Sequence, residues 1–122
     1  MGRTILLIED NEQNRYLVTF ILEKHGYRVL YAQNGIDGIE MAKNDAPDMI
    51  LLDIQLPIMD GYAVATELRK IESIQIVPIV AITSFAMPGD REKALAAGCT
   101  DHITKPIDPE TFLFNIEKYF RS

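Results

Sequence analysis

The chain has 122 residues, of which 48% are hydrophobic, and its formal net charge is −6. This length and composition suit one domain with one core. Direct binding of nucleic acid requires a basic surface, and the excess of acidic residues argues against one. The single cysteine, Cys99, cannot form an internal disulfide, and no apolar run approaches a membrane span. We therefore expect a cytoplasmic protein with one domain, residues 1–122, no attached output domain and no membrane or nucleic-acid partner.

Apolar segments alternate with helical patterns along the chain, which is typical of a parallel sheet covered by helices on both faces. In chain order, the first half is predicted to form strand Thr4–Ile8, a helix from Glu12 to about His25, strand Arg28–Ala32, a loop into a second helix that contains Ile36 and Ile39 and ends near Asn44, and strand Met49–Asp53. The second half is predicted to form a helix from Gly61 to about Ile71, strand Ile79–Thr83, a helix with Pro88 in its first turn that ends at Ala97, strand His102–Thr104, and a last helix from Pro109. The mixed composition of the second strand suits an edge of the sheet.

Capping residues support these helix limits. Asn11, Asp60 and Asp108 precede three of the helices, where a side-chain oxygen can accept a backbone N–H, and Gly26 and Gly98 follow two helices at the usual position of a left-handed residue. The apolar face of the first helix is predicted to comprise Leu17, Phe20, Ile21 and the stem of Lys24. The apolar face of the last helix is predicted to comprise Phe112, Leu113, Ile116, Tyr119 and Phe120, with Phe114 outside it.

Polar residues stand at the carboxyl ends of four of these strands. Glu9 and Asp10 follow the first, Asp53 ends the third, Thr83 ends the fourth, and Lys105 follows the fifth. The carboxyl ends of parallel strands share one edge, where ligands bind in open α/β sheets, so we expect these side chains to lie together. Two charges ~4 Å apart repel by roughly 4 kcal/mol at an effective dielectric of 20, which predicts a bound cation or a raised pKa. A ligand set made only of oxygens favours Mg²⁺ over zinc.

Each of these residues has a chemical role that its side chain could fill. Asp53 is the best candidate for covalent chemistry, because a carboxylate can attack phosphorus and form an aspartyl phosphate. Lys105 could contact phosphate, and the bond to Pro106 is a candidate for the cis form. Thr83 or the adjacent Ser84 could donate a hydroxyl proton to a phosphoryl oxygen, but neighbouring strand residues point in opposite directions, so only one should. Taken alone, each residue also has a structural interpretation: a charge at a helix start, a turn residue, a surface lysine or a strand residue.

Four segments together match one family. They are Ile8–Asn11, Leu52–Gly61, Ala81–Ser84 and Thr104–Pro106. On these segments the chain resembles, over essentially its whole length, the receiver domain of two-component response regulators, either a single-domain regulator or a receiver from a hybrid histidine kinase. The resemblance implies a flavodoxin-like (βα)5 fold, with a doubly wound parallel five-stranded sheet in the order 2-1-3-4-5.

The resemblance also implies roles for the residues at the sheet edge. Asp53 would accept a phosphoryl group from a phosphohistidine on a sensor histidine kinase or a histidine phosphotransfer protein. The ligands of Mg²⁺ would be Asp10, Asp53, the backbone carbonyl of Gln55 and, through a water molecule, Glu9. Lys105 and Thr83 would contact the phosphoryl oxygens, and a shift of the last two strands and the fourth helix would control a downstream target on the face of helix 4, strand 5 and helix 5. The expected chemistry is self-phosphotransfer and autodephosphorylation at Asp53, not that of a dedicated enzyme.

Three further positions bear on the switch and on the lifetime of the phosphoryl group. Three residues before Lys105, the family usually has Tyr or Phe, whose ring turns inward on phosphorylation, and this chain has His102. His102 is either a switch residue or a strand residue that faces solvent. Gln55 and Phe85 lie two residues beyond Asp53 and the fourth strand, where they could influence hydrolysis of the acyl phosphate. The alternative for Phe85 is packing under the fourth helix.

Three other functions are compatible with parts of the pattern. A flavin- or nucleotide-binding protein of the same fold needs donors after the first strand, whereas this chain has the acidic segment Glu9–Glu12 there. A Mg²⁺-dependent phosphatase resembling the haloacid dehalogenase group carries a second Asp two residues after the nucleophile, where this chain has Gln55. A degenerate receiver that acts unphosphorylated is disfavoured by the complete set of polar residues.

Overall fold

The computed structural model describes residues 2–84 and 88–120, and in this part all the predicted elements are present. The strands are β1 (Thr4–Ile8), β2 (Arg28–Ala32), β3 (Met49–Asp53), β4 (Ile79–Thr83) and β5 (Asp101–Thr104). The helices are α1 (Glu12–Lys24), α2 (Gly35–Asp45), α3 (Gly61–Leu68), α4 (Asp90–Ala96) and α5 (Pro109–Glu117). All neighbouring strands are parallel, and their order is β2-β1-β3-β4-β5. The predicted order and the edge position of β2 are therefore confirmed.

The predicted helix caps are confirmed. The side chains of Asn11, Asp60 and Asp108 each accept a hydrogen bond from the backbone N–H three residues further on. Gly26 and Gly98, with φ of 89° and 109°, lie in the left-handed region that other residues rarely adopt. The starts of α1, α3 and α5 thus follow from single side chains that supply an acceptor to the first turn.

The start of α4 differs from the prediction. Pro88 does not lie in the first turn, because Gly89 follows it with φ of 91° and separates it from the helix. The helix then begins at Asp90, which shortens it to seven residues. A left-handed glycine breaks the repeating dihedral angles of a helix, and the proline alone did not reveal this break.

The predicted end of α3 was also wrong. The helix was expected to reach Ile71, but it ends at Leu68, and Glu72–Ile74 forms a short 3₁₀ turn. The guanidinium of Arg69, directly after the helix, donates hydrogen bonds of 2.7 Å to the carbonyl oxygens of Ile74 and Val77. These bonds hold the chain in a turn where the sequence pattern alone would continue the helix.

Arg69 further joins this turn to the segment between α4 and β5. Its Nε donates to the carbonyl of Gly98 at 2.7 Å, and one Nη lies 3.2 Å from the hydroxyl of Thr100. The same hydroxyl accepts the backbone N–H of Ile79 at 3.1 Å. One arginine therefore satisfies several carbonyls at the amino-terminal edge of the sheet, opposite the polar strand ends.

Two apolar clusters cover the two faces of the sheet. The first contains Leu6, Ile8, Ile50, Leu52, Ile79 and Ala81 with residues of α2, α3 and α4. The second contains Ile5, Leu7, Met49, Leu51, Val80 and Ile82 with residues of α1 and α5. The strands β1, β3 and β4 are buried on both faces, which explains why their sequences are almost continuously apolar. None of the helices in the described ranges is long and apolar enough to cross a membrane.

The buried face of α1 was predicted one residue out of register. Its buried residues are Val18, Ile21 and Leu22, whereas Leu17 and Phe20 are 40% and 55% exposed. Positions 17, 20, 21 and 24 and positions 18, 21, 22 and 25 both satisfy helical spacing, so the pattern does not decide between them. The predicted face of α5 is confirmed: Phe112 and Ile116 are buried, and Leu113, Tyr119 and Phe120 pack against the second cluster. Phe114 is 58% exposed, as predicted.

Candidate functional site

The carboxyl edge of the sheet brings together acidic residues that are far apart in sequence. Glu9 and Asp53 extend from the ends of the adjacent strands β1 and β3, and they are only 2% and 3% exposed. Asp10 is exposed beside them. One carboxylate oxygen from each of the three residues lies within 4.8 Å of the others. The acidic cluster predicted from the strand ends is therefore present.

Lys105 reaches into this cluster from the end of β5. Its Nζ lies 3.0 Å from Oε1 of Glu9 and 3.5 Å from Oδ2 of Asp53, and its side chain is 15% exposed. Its backbone N–H donates to the carbonyl of Thr83 at 2.7 Å. The peptide bond to Pro106 is cis, as predicted. The site thus contains one ammonium shared between two buried carboxylates.

The electrostatics of Glu9 reflect this crowding. Burial is the largest cause that raises the pKa of Glu9 to about 7, and the neighbouring Asp53 raises the pKa further, while Lys105 acts in the opposite direction. One ammonium does not fully offset two buried carboxylates and a third beside them. Additional positive charge at this edge would therefore favour the ionised form of the cluster.

The residues present fit a magnesium ion. All the candidate donors are oxygens, the group combines two buried carboxylates with one exposed carboxylate, and its open side leaves room for water. Mg²⁺ usually keeps several waters and takes one or two carboxylates from the protein. The backbone of Gln55, the predicted carbonyl ligand, lies in the loop that directly follows Asp53.

The loop after β3 holds Asp53 in one orientation. The backbone N–H of Gln55 donates to Oδ1 of Asp53 at 2.9 Å, which leaves Oδ2 toward Lys105. Gly61 closes the loop through a hydrogen bond of 2.9 Å from its N–H to the carbonyl of Ile54. A Cβ at Gly61 would lie 2.5 Å from Cα of Ile54 and 2.6 Å from the carbonyl oxygen of Asp53, so only glycine fits here.

Thr83 is placed beside Asp53 by the strand register. Asp53 pairs with Ile82, so Thr83 lies one position further along the adjacent strand. Thr83 is 4% exposed, whereas Ser84 is exposed, so Thr83 is the better placed of the two candidate hydroxyls. The backbone N–H of Ser84 lies 3.3 Å from the side-chain oxygen of Gln55, which joins the loops after β3 and β4.

Two contacts at this edge were not anticipated from the sequence. The Gln55–Ser84 hydrogen bond is one of them. The other is made by Arg15 of α1, whose guanidinium donates to the carbonyl oxygens of Glu9 and Asp10 at 3.1 Å each. Arg15 therefore fixes the backbone that carries two of the acids. Its position one turn into a capped helix is the only signal in the sequence that could have indicated this role.

His102 is not the solvent-facing residue that one interpretation expected. It pairs with Ala81 in the register of β5 and β4, and it is partly buried. Its Nε2 is buried and has no hydrogen-bond partner within the described part of the chain. The interpretation of His102 as a switch residue stays a prediction. Phe85, which together with Gln55 is predicted to influence the lifetime of the phosphoryl group, lies outside the described residues.

The neighbouring Asp101, in β5, connects α4 with the 3₁₀ turn Lys118–Phe120 that directly follows α5. Its carboxylate lies 3.2 Å from Nη1 of Arg91 and 3.4 Å from Nζ of Lys118, and it accepts a hydrogen bond from the hydroxyl of Tyr119. Burial raises the pKa of Asp101, but the hydrogen bonds from Tyr119, the backbone of His102 and Arg91 outweigh burial and hold the pKa below its ordinary value. An ionised carboxylate is therefore the centre of this face.

Known proteins are similar to this chain over nearly its whole length. A family model described as the response regulator receiver domain matches residues 5–117, which include all the polar strand ends. The polar-differentiation response regulator DivK of Brucella anthropi is 36% identical over 119 residues, covering 98% of this chain and 97% of that protein.

Solved structures are similar to the same extent. The receiver domain of a sensor histidine kinase from Pseudomonas aeruginosa PAO1 has a TM-score of 0.92 and 37% identity, with 100% of both chains covered. That structure has a magnesium ion coordinated in its active-site cleft. The chemotaxis protein CheY4 of Vibrio cholerae has a TM-score of 0.93 and 26% identity, with 97% of this chain and 98% of that chain covered.

Proposed function

We infer, since this chain belongs to the response-regulator receiver domain family, that it accepts a phosphoryl group on Asp53 and that this modification controls binding of a protein partner. The family and the flavodoxin-like fold predicted from the sequence are both confirmed. The observation that carries the choice of Asp53 is its orientation: Oδ1 accepts the N–H of Gln55 at 2.9 Å, while Oδ2 lies 3.5 Å from the ammonium of Lys105.

The proposed donor is a phosphohistidine of a sensor histidine kinase or a histidine phosphotransfer protein. An oxygen of Asp53 forms the new bond to phosphorus while the phosphorus–nitrogen bond of the donor breaks and the imidazole leaves with its electron pair. The modification is removed by hydrolysis, in which water attacks the phosphorus atom, the bond from phosphorus to the Asp53 oxygen breaks, and the carboxylate and inorganic phosphate are released. The chain would catalyse both steps on itself only. We place the reaction in the cytoplasm, where such donors act.

The proposed metal ligands are the two carboxylates of Asp10 and Asp53 and the backbone carbonyl of Gln55, with Glu9 holding a coordinated water. Mg²⁺ bound there would neutralise negative charge on the transferring phosphoryl group. Burial and the neighbouring Asp53 raise the pKa of Glu9. The raised pKa supports the proposal that the cluster binds a cation, because Lys105 alone does not balance its negative charge. The residues of the chain itself orient Asp53 and leave only 3% of it exposed to solvent.

Two further side chains are proposed to contact the phosphoryl oxygens. Lys105 is already within 3.5 Å of Asp53 and would exchange this contact for one to phosphate. Thr83 is buried at the adjacent strand end and would donate its hydroxyl proton. Thr83 ends β4 and Lys105 directly follows β5, and α4 lies between these strands in the chain, so contacts with a phosphoryl group would act on the position of that helix.

Magnesium is expected to stabilise the fold through Asp10. At a free concentration one hundred times the dissociation constant, a bound ligand raises the free energy of unfolding by about 2.7 kcal/mol. We expect Asp10→Asn to lose at least half of this gain, because one of the proposed ligands is gone. Urea unfolding with and without Mg²⁺ measures the effect. Asp45→Asn, an exposed acid at the end of α2, should respond to Mg²⁺ like the wild type, and an equal response of Asp10→Asn would remove Asp10 from the site.

The proposed partner surface is the face formed by α4, β5 and α5. Asp101 of β5 contacts Arg91 of α4 and, in the 3₁₀ turn after α5, Lys118 and Tyr119, so a shift of α4 would rearrange the charges on this face. His102 lies next to Asp101 with its Nε2 buried and unpartnered in the described ranges. These contacts support the proposal that the face has one arrangement in the unphosphorylated chain and another in the phosphorylated chain.

Replacing His102 by alanine tests this switch. We expect the variant to be phosphorylated at the wild-type rate, because the imidazole Nε2 of His102 forms no hydrogen bond with Asp53 or Lys105 within the described part. Its affinity for the cognate target should change about threefold or more. Surface plasmon resonance with phosphorylated and unphosphorylated chain gives the ratio of affinities. A ratio equal to that of the wild type would exclude His102 from the switch.

The function itself is tested with the unmodified chain and a small acyl phosphate. Incubation with acetyl phosphate and Mg²⁺ should add the mass of one phosphoryl group, detected by intact-mass spectrometry. Chelation of Mg²⁺ before the reaction should prevent the addition, and mild base should remove the group, as expected for an acyl phosphate. Failure to gain this mass at any Mg²⁺ concentration, in a folded sample, would contradict the proposal.

A further inference from the structure

A second surface feature lies between α2 and α3, and none of the residues that line it belongs to the acidic cluster. It is an open groove with a volume of about 490 Å³. Its lining residues are Ile36, Ile39 and Glu40 of α2, Met59 of the loop before α3, and Ala63, Thr66 and Glu67 of α3. The proposed phosphorylation chemistry uses none of these residues. The groove therefore needs a separate explanation.

The walls of the groove present apolar side chains that a monomer does not need to expose. Ile36 is 62% exposed although it lies on a helix whose other face is packed on the core. Next to the lining residue Met59, Ile58 is 95% exposed and has a φ of 68°, a left-handed conformation that is unfavourable for a β-branched residue. Exposed apolar patches of this kind mark interaction sites more often than exposed single residues do.

The charged residues that line the groove are acidic on both walls. Glu40 stands on the α2 wall and makes no ion pair with any residue in the described ranges. Glu67 stands on the α3 wall, where exposed Lys70 lies 2.7 Å from its carboxylate. An exposed pair of this kind contributes little and can exchange partners readily. The net charge of −6 would attract a basic partner from a distance.

We propose that this groove binds a basic amphipathic helix of a partner protein. An apolar strip with residues at helical spacing would pack on Ile36, Ile39 and Met59, while Lys or Arg side chains at its two borders would reach Glu40 and Glu67. Helix α2 has 11 residues, which corresponds to a wall about 16 Å long, enough for roughly three turns of a docked helix. The groove is distinct from the α4, β5 and α5 face.

Synthetic helices provide a probe that does not depend on phosphorylation. The full chain, labelled with ¹⁵N and free of Mg²⁺ and acyl phosphate, is titrated with a designed leucine–lysine amphipathic helix of about four turns. A leucine–glutamate helix with the same apolar face and the opposite charge is the control. The leucine–lysine helix should shift the amide signals of residues 36–40 and 59–67, and the leucine–glutamate helix should bind at least tenfold more weakly.

Matched variants separate groove binding from general attraction to an acidic protein. Ile36→Ser and Glu40→Lys should each weaken binding about tenfold. Ile76→Ser, at an isoleucine that is 95% exposed outside the groove, and Glu72→Lys, at an exposed glutamate of the 3₁₀ turn, should change the affinity less than twofold. The amide spectrum of each variant verifies that it is folded.

Each other outcome overturns the proposal. Equal weakening by Glu40→Lys and Glu72→Lys would mean non-specific charge attraction. Shifts confined to other surfaces, or no shifts at all, would mean that the groove is not the binding site. If sedimentation shows that the free chain dimerises and that Ile36→Ser abolishes the dimer, the occupant is a second copy of the chain. All of these results are obtained without phosphorylation, so they leave the assignment of Asp53 untouched.

Discussion

Replacement of Asp53 by asparagine is expected to abolish phosphorylation of the chain. The amide has almost the same shape as the carboxylate, and its oxygen can still accept the N–H of Gln55, which lies 2.9 Å from Oδ1 in the wild type. It has no anionic oxygen that could attack phosphorus, so the proposed nucleophile is lost without a change in packing. After incubation with acetyl phosphate and Mg²⁺, intact-mass spectrometry should find labelling below the detection limit, where the wild type is labelled once.

The matched control for this change is Asp45→Asn, which removes one negative charge from an exposed position. It should be labelled like the wild type. Asp53→Asn should also remain folded, because it removes one of three clustered carboxylates and with it part of their repulsion. Retained labelling in Asp53→Asn would identify a different acceptor, and peptide mapping would distinguish Glu9 and Asp10 as the candidates.

The arrangement of the site explains how a small domain can hold a buried carboxylate in one orientation. Asp53 is buried, yet both of its oxygens have a partner: the N–H of Gln55 on one side and the ammonium of Lys105 on the other. The backbone that carries Glu9 is held by Arg15. A carboxylate fixed in this way does not need to be reoriented during the reaction, which lowers the cost of reaching the transition state.

The strands were predicted from the sequence almost to the residue, and the reason is their burial. β1 ends with its apolar run, and β3 and β4 end one residue beyond theirs, because these strands are covered on both faces and tolerate a polar residue only where they leave the core. The same effect exposes the site: the polar residue that ends each run lies at the edge of the sheet. This is why the sequence alone predicts that Glu9 and Asp53 lie close together.

Features that depend on contacts between distant segments could not be predicted in this way. The end of α3 depends on the hydrogen bonds of Arg69 to carbonyl groups further along the chain, and these leave no local pattern. The buried face of α1 depends on which of two equivalent stripes meets the sheet, so Phe20 was placed inside although it is 55% exposed. The burial of His102 likewise depends on its pairing with Ala81 in β4. In each case the sequence specified the type of element but not its tertiary contacts.

The charge balance of the site depends most strongly on Lys105. Its Nζ lies 3.0 Å from Glu9 and 3.5 Å from Asp53, and both carboxylates are almost completely buried. Replacement by methionine keeps the unbranched stem but removes the ammonium. Loss of one partner of a buried ion pair typically costs about 3–5 kcal/mol, because the other charge stays buried without compensation. Since Lys105 is 15% exposed and water can reach the site, we expect a decrease near the lower end of this range for Lys105→Met without Mg²⁺.

Two measurements distinguish the structural role of Lys105 from its proposed contact with phosphate. Added Mg²⁺ should restore most of the lost free energy of unfolding, because the cation supplies the missing positive charge to the same carboxylates. The rate of labelling by acetyl phosphate should nevertheless remain about 10²-fold below that of the wild type at saturating Mg²⁺, since a charged donor to the transition state is lost. Lys43→Met, which removes an exposed lysine of α2, should change neither quantity. If Mg²⁺ restored both stability and rate, Lys105 would serve only to balance Glu9 and Asp53 in the metal-free protein.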